Sequence, residues 1–291
     1  MQRQMLSLRF DCMSRLVPLL ACVVVGSWTT RCAAIELVLQ NDSFASASTG
    51  TPLLAFLSGE MAASWHTAPL DGDIVGVQVV WGSMFGGSPD SPEFAIHIYD
   101  GGTFPNPASA TPLASISAPV LTEGTLSGVI NEFRFLDPPT NLTPLSVPVT
   151  KNQDYIVALE FFNTNSGQPF APSVKYDGDG CQAGTSAAFT IPGGWAGGCV
   201  LGIPGDLGIR AILEPSPIPG DFDGDLDVDG ADFLILQQGL GTIYDSTDLD
   251  NWETNYGTLA PLSATSTAVP EPASLLLLIL ATVGFYLQRK V

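Results

Sequence analysis

Positive charge is what this chain has least of. Ten of its 291 residues are Lys or Arg and 29 are Asp or Glu, which gives a formal net charge of −19. Between positions 35 and 270 there are four basic and 27 acidic residues, a net charge of −23. A surface of this sign repels phosphate backbones and attracts divalent cations. Nucleic acid is therefore excluded as a partner.

Residues typical of catalysis are also scarce. The chain has two histidines and no Gly-x-Ser-x-Gly elbow, and His97 lies in an alternating strand pattern typical of a structural or surface histidine. We therefore predict that the protein is not an enzyme. The alternative is a glycosidase-like pair of carboxylates drawn from Glu93, Glu132 and Glu160. Of these, Glu160 would be tested first because it lies near the end of a predicted strand.

Cysteine is rare outside the first 34 residues, where Cys12, Cys22 and Cys32 lie. Only Cys181 and Cys199 remain, and an even pair in an exported chain predicts one disulfide. Such a bridge stabilises a fold by about 3 kcal/mol. The alternative, a pair of metal-binding thiolates, lacks a neighbouring His or further Cys.

Both ends of the chain indicate export. Three arginines precede an apolar segment from Leu16 to Trp28, and small residues follow at positions 32–34. This order predicts a secretory signal peptide over residues 1–34, with cleavage after Ala34.

The C-terminal segment has a fixed order of parts. Val269-Pro270-Glu271-Pro272 precedes an apolar run from Ala273 to Leu287, and Arg289-Lys290 follows. As a helix, the run would span roughly 22 Å, less than the hydrocarbon core of about 30 Å. Residues 269–291 resemble the PEP-CTERM sorting signal of exosortase substrates, with the motif at Pro270, Glu271 and Pro272.

The resemblance implies that an exosortase-type protease processes the chain. It also implies transient or permanent membrane contact through residues 273–287, and a final location on the cell surface or in an extracellular matrix. An ordinary tail anchor is the alternative.

Residues 35–214 show short apolar or alternating runs separated by Gly, Pro, Asn and Asp, without sustained helical periodicity. We predict a mainly β domain, an antiparallel β-sandwich of jelly-roll type. The predicted strands are Ile35–Leu39, Ile74–Trp81, Phe94–Tyr99, Leu113–Ile116, Val129–Leu136, Tyr155–Phe162, Ser173–Tyr176, Ala187–Ile191 and Gly208–Leu213. A proline-rich linker at 215–220 follows this domain.

An alternating acidic segment comes next. Its carboxylates occupy positions 1, 3, 5, 7, 9 and 12 of a loop: Asp221, Asp223, Asp225, Asp227, Asp229 and Asp232. Calcium takes six to eight oxygen ligands, and this spacing wraps a chain around one ion. We therefore predict one Ca²⁺ at this loop, with folding coupled to binding. Val228, at position 8, is expected to point into the core.

The residues on either side of the loop distinguish an EF-hand from a dockerin. The proline-rich segment before it excludes the first helix of an EF-hand. Apolar residues follow at helical spacing (Phe233, Leu236 and Leu240). The pattern recurs sixteen residues later, with Asp248 matching Asp232 and with Leu249, Trp252 and Tyr256 matching the apolar residues. Residues 221–257 thus resemble a small α-helical type I dockerin module, which a linker at 258–268 joins to the tail. The second loop has only Asp245 and Asp248 as acids.

Two departures from the dockerin pattern matter. Loop position 6, usually Gly, is Leu226, so we expect a strained or altered turn there. Positions 10 and 11, often a hydroxyl pair that contacts cohesin, are Gly230 and Ala231, so a cohesin-like partner is not predicted. Packing of Phe233 on Trp252 would make the module a calcium-stiffened stalk.

The whole sequence predicts an exported structural or adhesive protein, stabilised by calcium, with extracellular polysaccharide as a candidate ligand. The alternative is a binding or hydrolytic component of polysaccharide degradation, which dockerins as a family serve. Aromatic residues are candidates for stacking on sugar rings, with a core role as the alternative: Trp65, Trp81, Trp195 and Tyr176. Asp177-Gly-Asp179-Gly is either a plain turn or a second calcium ligand set.

Overall fold

The computed structural model describes residues 35–44, 46–47, 49–124, 128–168 and 170–259. The predicted signal peptide, the sorting tail and most of the second linker lie outside these residues, as does the apolar run at 273–287. No helix in the described ranges has the length and apolar character needed to cross a membrane.

The described elements are mostly short strands. In chain order they are β1 (Leu37–Leu39), β2 (Thr51–Pro52), β3 (Met61–Thr67), β4 (Gly72–Gly82), β5 (Ser91–Pro92), β6 (Ala95–Asp100), β7 (Ala114–Ser117), β8 (Val120–Leu121), β9 (Val129–Phe133), β10 (Val147–Val149), β11 (Asp154–Glu160), β12 (Ser173–Tyr176), β13 (Ser186–Thr190), β14 (Gly194–Gly197), α1 (Gly198–Leu201), β15 (Ile209–Pro215), α2 (Gly230–Gly239) and α3 (Ser246–Asn255).

Two large antiparallel sheets dominate the fold. The first runs in the order β1-β15-β4-β12-β2, and β9 and β10 also pair with the long strand β4. The second has the order β14-β13-β3-β11-β6-β7, and β5 pairs with β8 in a small third sheet. The prediction of a mainly β, antiparallel architecture is confirmed, while the jelly-roll connectivity stays a prediction.

One hydrophobic core draws on both large sheets. Strand β4 contributes Val77 and Val79, and β6 contributes Ile96 and Ile98, all fully buried. The two residues of each pair are two positions apart. They lie on the same face because successive side chains of a strand point to opposite faces of the sheet. The two sheets are therefore held together by apolar burial between their facing sides.

Strand β3 was missed from the sequence. Its small residues Ala62, Ala63 and Ser64 have weak β propensity, yet all three are fully buried. Ala62 belongs to the main core, and Ala63 belongs to a second apolar cluster that includes Trp65. Both faces of this strand are covered by other parts of the protein. The strand therefore has small buried residues on both faces, instead of the alternation of apolar and polar residues that would have identified it.

Most strand bounds differ from prediction by one or two residues, and three differences are larger or change the type of element. Strand β9 ends at Phe133 rather than Leu136, and a short helix, α1, interrupts a region that was expected to contain none. Pro215, predicted as the first linker residue, ends β15 and lies opposite Gly72. Proline is tolerated there because a strand end need not donate a hydrogen bond.

Candidate functional site

The acidic loop from Asp221 to Asp232 leads directly into α2, whose N-cap is Asp229. Its carboxylates form two groups, and within each group one oxygen per residue lies within 4.8 Å of the others. The groups are Asp221, Asp223 and Asp225, and Asp227, Asp229 and Asp232. The six predicted ligands thus form two triads in this structure rather than a single cluster.

Asp221 shapes the first half of the loop. Its Oδ1 accepts a hydrogen bond from the Gly224 amide (2.6 Å) and its Oδ2 accepts one from the Leu226 amide (3.0 Å). Leu226 has φ +73°, the left-handed conformation expected of the glycine usual at this position. That conformation costs an L-residue about 1 kcal/mol. The buried Leu226 side chain offsets this cost with about 2 kcal/mol of apolar burial.

Asp232 closes the loop from the first turn of α2. It is fully buried, and its Oδ1 accepts a hydrogen bond from the Phe222 amide at 2.6 Å. Its Oδ2 accepts from the Asp229 amide at 2.8 Å, while Asp229 Oδ1 accepts from the Ala231 amide. This reciprocal capping box satisfies amides that the helix start leaves without partners.

The second half of the module repeats this helix start. Asp245 caps α3, its side chain accepts from the Thr247 amide at 2.7 Å, and Asp248 Oδ2 accepts from the Asp245 amide at 2.9 Å. The hydrogen bonds from the Thr247 and Asp248 amides lower the pKa of Asp245. The internal repeat seen in the sequence is therefore a repeated capping box, with a full acidic loop before only the first helix.

Charge is concentrated in the first loop. Loss of water around its carboxylate, followed by the charges of Asp225 and Asp232, raises the pKa of Asp223 to about 6. The pKa of Asp227 is also raised by desolvation and by neighbouring aspartates, Asp225 first among them. Asp227 Oδ1 is buried and has no hydrogen-bond partner in the described structure. An oxygen of this kind, among ionised neighbours, is a good ligand for a hard divalent cation.

The two helices close on the loop through Val228 and Trp252. Val228 is fully buried as expected; its amide donates to the Thr258 carbonyl (3.0 Å), and its carbonyl accepts from the Gly257 amide (2.9 Å). Trp252 Nε1 donates to the Asp229 carbonyl at 2.8 Å, and its ring lies 4.6 Å from that of Phe233. These contacts join the loop to the middle of α3 and to the residues just after its C-terminal end.

Of the six apolar helix positions, two are exposed. Leu240 and Tyr256, placed on the packed face from sequence spacing, follow the ends of α2 and α3 and are 50% and 60% exposed. Each helix ends one residue earlier than the apolar pattern suggests.

Cys181 and Cys199 are joined in a disulfide, with their Cα atoms 5.5 Å apart. The bridge ties the loop after β12 to helix α1. This loop also carries Asp177 and Asp179, which form a third carboxylate triad with Asp206.

Sequence analysis missed two residues of the candidate sites. It did not place Ser115 beside His97, and it did not place Asp206 beside Asp177 and Asp179. Ser115 is the cross-strand partner of His97, and its Oγ lies 2.7 Å from His97 Nδ1, while Glu160 Oε2 lies 3.0 Å from Nε2. Only the register of β6 against β7 and β11 brings these residues together, so no local motif indicates the row. A hydroxyl, an imidazole and a carboxylate in sequence are the groups used in nucleophilic hydrolysis.

The three glutamates proposed as glycosidase carboxylates have separate environments. Glu132 lies on the first sheet, where it is bonded to Arg134 and Gln78, whereas Glu160 lies on the second and faces His97. Glu93 is buried, which raises its pKa although hydrogen bonds from Ser91 and Phe162 oppose the rise.

The aromatic candidates for sugar stacking divide in two. Trp81 and Trp65 are 1% and 5% exposed, so of the two roles considered for them the core role applies. Tyr176 is partly buried against the same core. Trp195 is partly exposed on the second sheet, with its ring 6.2 Å from Tyr99 and 5.6 Å from Phe189. Among the four candidates, Tyr176 and Trp195 therefore keep part of the ring exposed to solvent.

His66 has a structural environment. Its Nε2 lies 3.1 Å from the Ile209 carbonyl, and burial lowers its pKa to about 4, although that hydrogen bond and Asp42 oppose the shift. Asp42 is itself paired with the buried Arg210.

Comparison with known proteins places one segment of the chain. Residues 268–290 match the PEP-CTERM protein-sorting motif. No match exists among curated proteins or among solved structures. The motif indicates a protein that is exported, processed by an exosortase and sorted to the cell surface.

Proposed function

We propose that this chain is a structural or adhesive protein of the cell surface or extracellular matrix, stabilised by one Ca²⁺ held in a dockerin-like module at residues 221–257. The ligands are drawn from the six loop aspartates. The observation that carries the proposal is the pair of carboxylate triads around the left-handed turn at Leu226. Calcium suits this site because each of the six candidate ligands offers a hard carboxylate oxygen and none offers nitrogen or sulfur.

The ion would act on stability rather than on chemistry. With the loop satisfied, the hydrogen bonds from Val228 and Trp252 hold α3 against α2. Extracellular calcium modules bind with dissociation constants of roughly 0.1 to 1 mM, a range that the surroundings of a cell can saturate. The module would then form a stiff spacer before the C-terminal tail.

The composition and surface of the chain support an adhesive role. The chain is strongly acidic, and Trp195 with its aromatic neighbours offers a partly exposed ring for extracellular polysaccharide. Two of the three candidate glutamates have side-chain partners: Glu132 forms an ion pair with Arg134, and Glu160 Oε2 lies 3.0 Å from His97 Nε2.

Cells that express the tagged chain together with an exosortase provide the test. We expect surface-exposed protein, cell adhesion to polysaccharide-coated plates, and loss of adhesion in chelator. Ala substitution of Pro270, Glu271 and Pro272 should keep the protein in the membrane fraction, and Asp223→Asn should mimic the chelator. Adhesion that is identical in all these conditions would contradict the proposal.

A hydrolytic role is the second candidate, favoured by the row Ser115, His97 and Glu160. Hydrolysis of soluble polysaccharide or of an aryl ester, abolished by both Ser115→Ala and Glu160→Gln, would support it. Equal rates in both variants and wild type would leave contamination as the source of the activity.

A further inference from the structure

The β domain contains its own carboxylate triad, far in sequence from the acidic loop. One oxygen of each of Asp177, Asp179 and Asp206 lies within 4.8 Å of the other two. Asp177 follows β12, and Asp206 lies in the segment that leads to β15, so the tertiary fold brings these residues together. Asp177 and Asp206 are 3% and 0% exposed, whereas Asp179 is exposed to solvent.

The two carboxylate oxygens of Asp206 have different surroundings. Its Oδ1 accepts hydrogen bonds from Thr185 Oγ1 (2.6 Å) and the Gln182 amide (3.3 Å). Its Oδ2 is buried without any hydrogen-bond partner in the described structure. A buried carboxylate oxygen without a hydrogen bond is destabilising, because its lost hydration is not replaced. A cation between the three carboxylates would supply the missing partner.

The surrounding backbone fixes the carboxylates in place. Asp177 Oδ2 accepts from the Ser43 amide (2.8 Å) and Oγ (3.2 Å), and its Oδ1 accepts from the Asp206 amide (2.8 Å). A side chain at Gly205 would place its Cβ 2.5 Å from Asp177 Oδ1 and 2.1 Å from the Asp177 carbonyl oxygen. The disulfide at Cys181 holds the same loop. The site is therefore preorganised, and Asp179 alone lies on its open side.

From this unpaired oxygen and fixed geometry, we infer that Asp177, Asp179 and Asp206 form a second divalent-cation site, selective for Ca²⁺, that locks the loop after β12 onto the segment before β15. All three ligands are hard carboxylates, and no His or thiolate belongs to the group, so zinc is disfavoured. Mg²⁺ keeps its waters more firmly and should bind more weakly. The ion would add a second clamp beside the disulfide.

Calorimetry with CaCl₂ on the full chain in mild detergent tests this site in a background where the acidic loop is disabled by Asp221→Asn with Asp223→Asn. We expect one remaining binding event, lost on further Asp179→Asn substitution and kept with Asp90→Asn, an exposed control in the same domain. Asp179 is exposed, so its substitution should leave the fold intact. Because the loop is disabled throughout, failure here is distinct from failure of the first calcium site.

Hydrogen exchange in the same variants provides an independent measurement. Calcium at ten times its dissociation constant should slow exchange at residues 177–185 and 203–207 about tenfold, because opening must release the ion. The Asp179→Asn variant should show no such protection. Absence of heat together with unchanged exchange up to about 10 mM CaCl₂, above the usual extracellular range, would overturn the inference.

Discussion

Asp223→Asn should change the stability of the helical module in opposite directions with and without calcium. The substitution removes one charge from a loop where desolvation, followed by the charges of Asp225 and Asp232, raises the pKa of Asp223 to about 6. The full rise from the usual value of 3.8 would correspond to about 3 kcal/mol at pH 7. Since this carboxylate is exposed, solvent screening reduces the figure to about 1 kcal/mol. In chelator the variant should therefore be the more stable protein.

With calcium the sign reverses. At 100 times its dissociation constant, a bound ion adds about 2.7 kcal/mol to the wild type. A hundredfold weaker site in the variant would retain only about 0.4 kcal/mol of this, so the variant becomes the less stable by about 1 kcal/mol. Loss of a ligand outweighs relief of repulsion.

Hydrogen exchange at residues 221–258 reports this region separately from the β domain. In chelator, exchange in the variant should be about fivefold slower than in wild type, as about 1 kcal/mol requires. In calcium it should be faster. Asp250→Asn, an exposed change of the same charge on α3, should show no reversal. The same direction of change in both conditions would refute the reasoning.

Three further substitutions probe the β domain by urea unfolding. Asp42→Ala leaves the buried guanidinium of Arg210 unpaired and should cost about 3 to 5 kcal/mol, with much of the loss recovered by Asp42→Leu combined with Arg210→Met. Paired Cys181→Ser and Cys199→Ser changes should cost about 3 kcal/mol, since they open an 18-residue loop; a reducing agent should lower wild-type stability to match. His66 has a folded pKa of about 4, below its ordinary 6.5, so the unfolded chain binds the extra proton first as pH falls. Stability should decline by up to about 3 kcal/mol between pH 6.5 and 4, and an unchanged slope in His66→Gln would exclude this cause.

Local patterns predicted the elements whose signal is local. Alternation located β4, β6 and β11, and turn residues bounded them. Strand β3 escaped because both of its faces are covered, which removes alternation and favours alanine. Strand pairs of two or three residues, such as β5 and β8, also escaped because they are defined by their partners rather than by composition.

The candidate sites also divide into one that is local in sequence and others that depend on the tertiary fold. The six loop aspartates lie within twelve consecutive residues, so their spacing alone indicated a cation. Asp206 is 29 positions from Asp177, and Ser115 is 45 from Glu160; only the sheet registers and the disulfide-linked loop bring these groups together. The dual role of Asp229, as a member of the acidic triad and as the N-cap of α2, also required the structure.

Calcium titration of the chelator-stripped full chain tests the central claim most directly. Wild type should give binding heat in the range of roughly 0.1 to 1 mM or tighter, and Asp221→Asn with Asp223→Asn should remove one complete binding event. The Asp250→Asn control should retain the wild-type isotherm. A wild-type isotherm without heat, or a loop variant that binds as many ions as wild type, would contradict a calcium site in the aspartate loop.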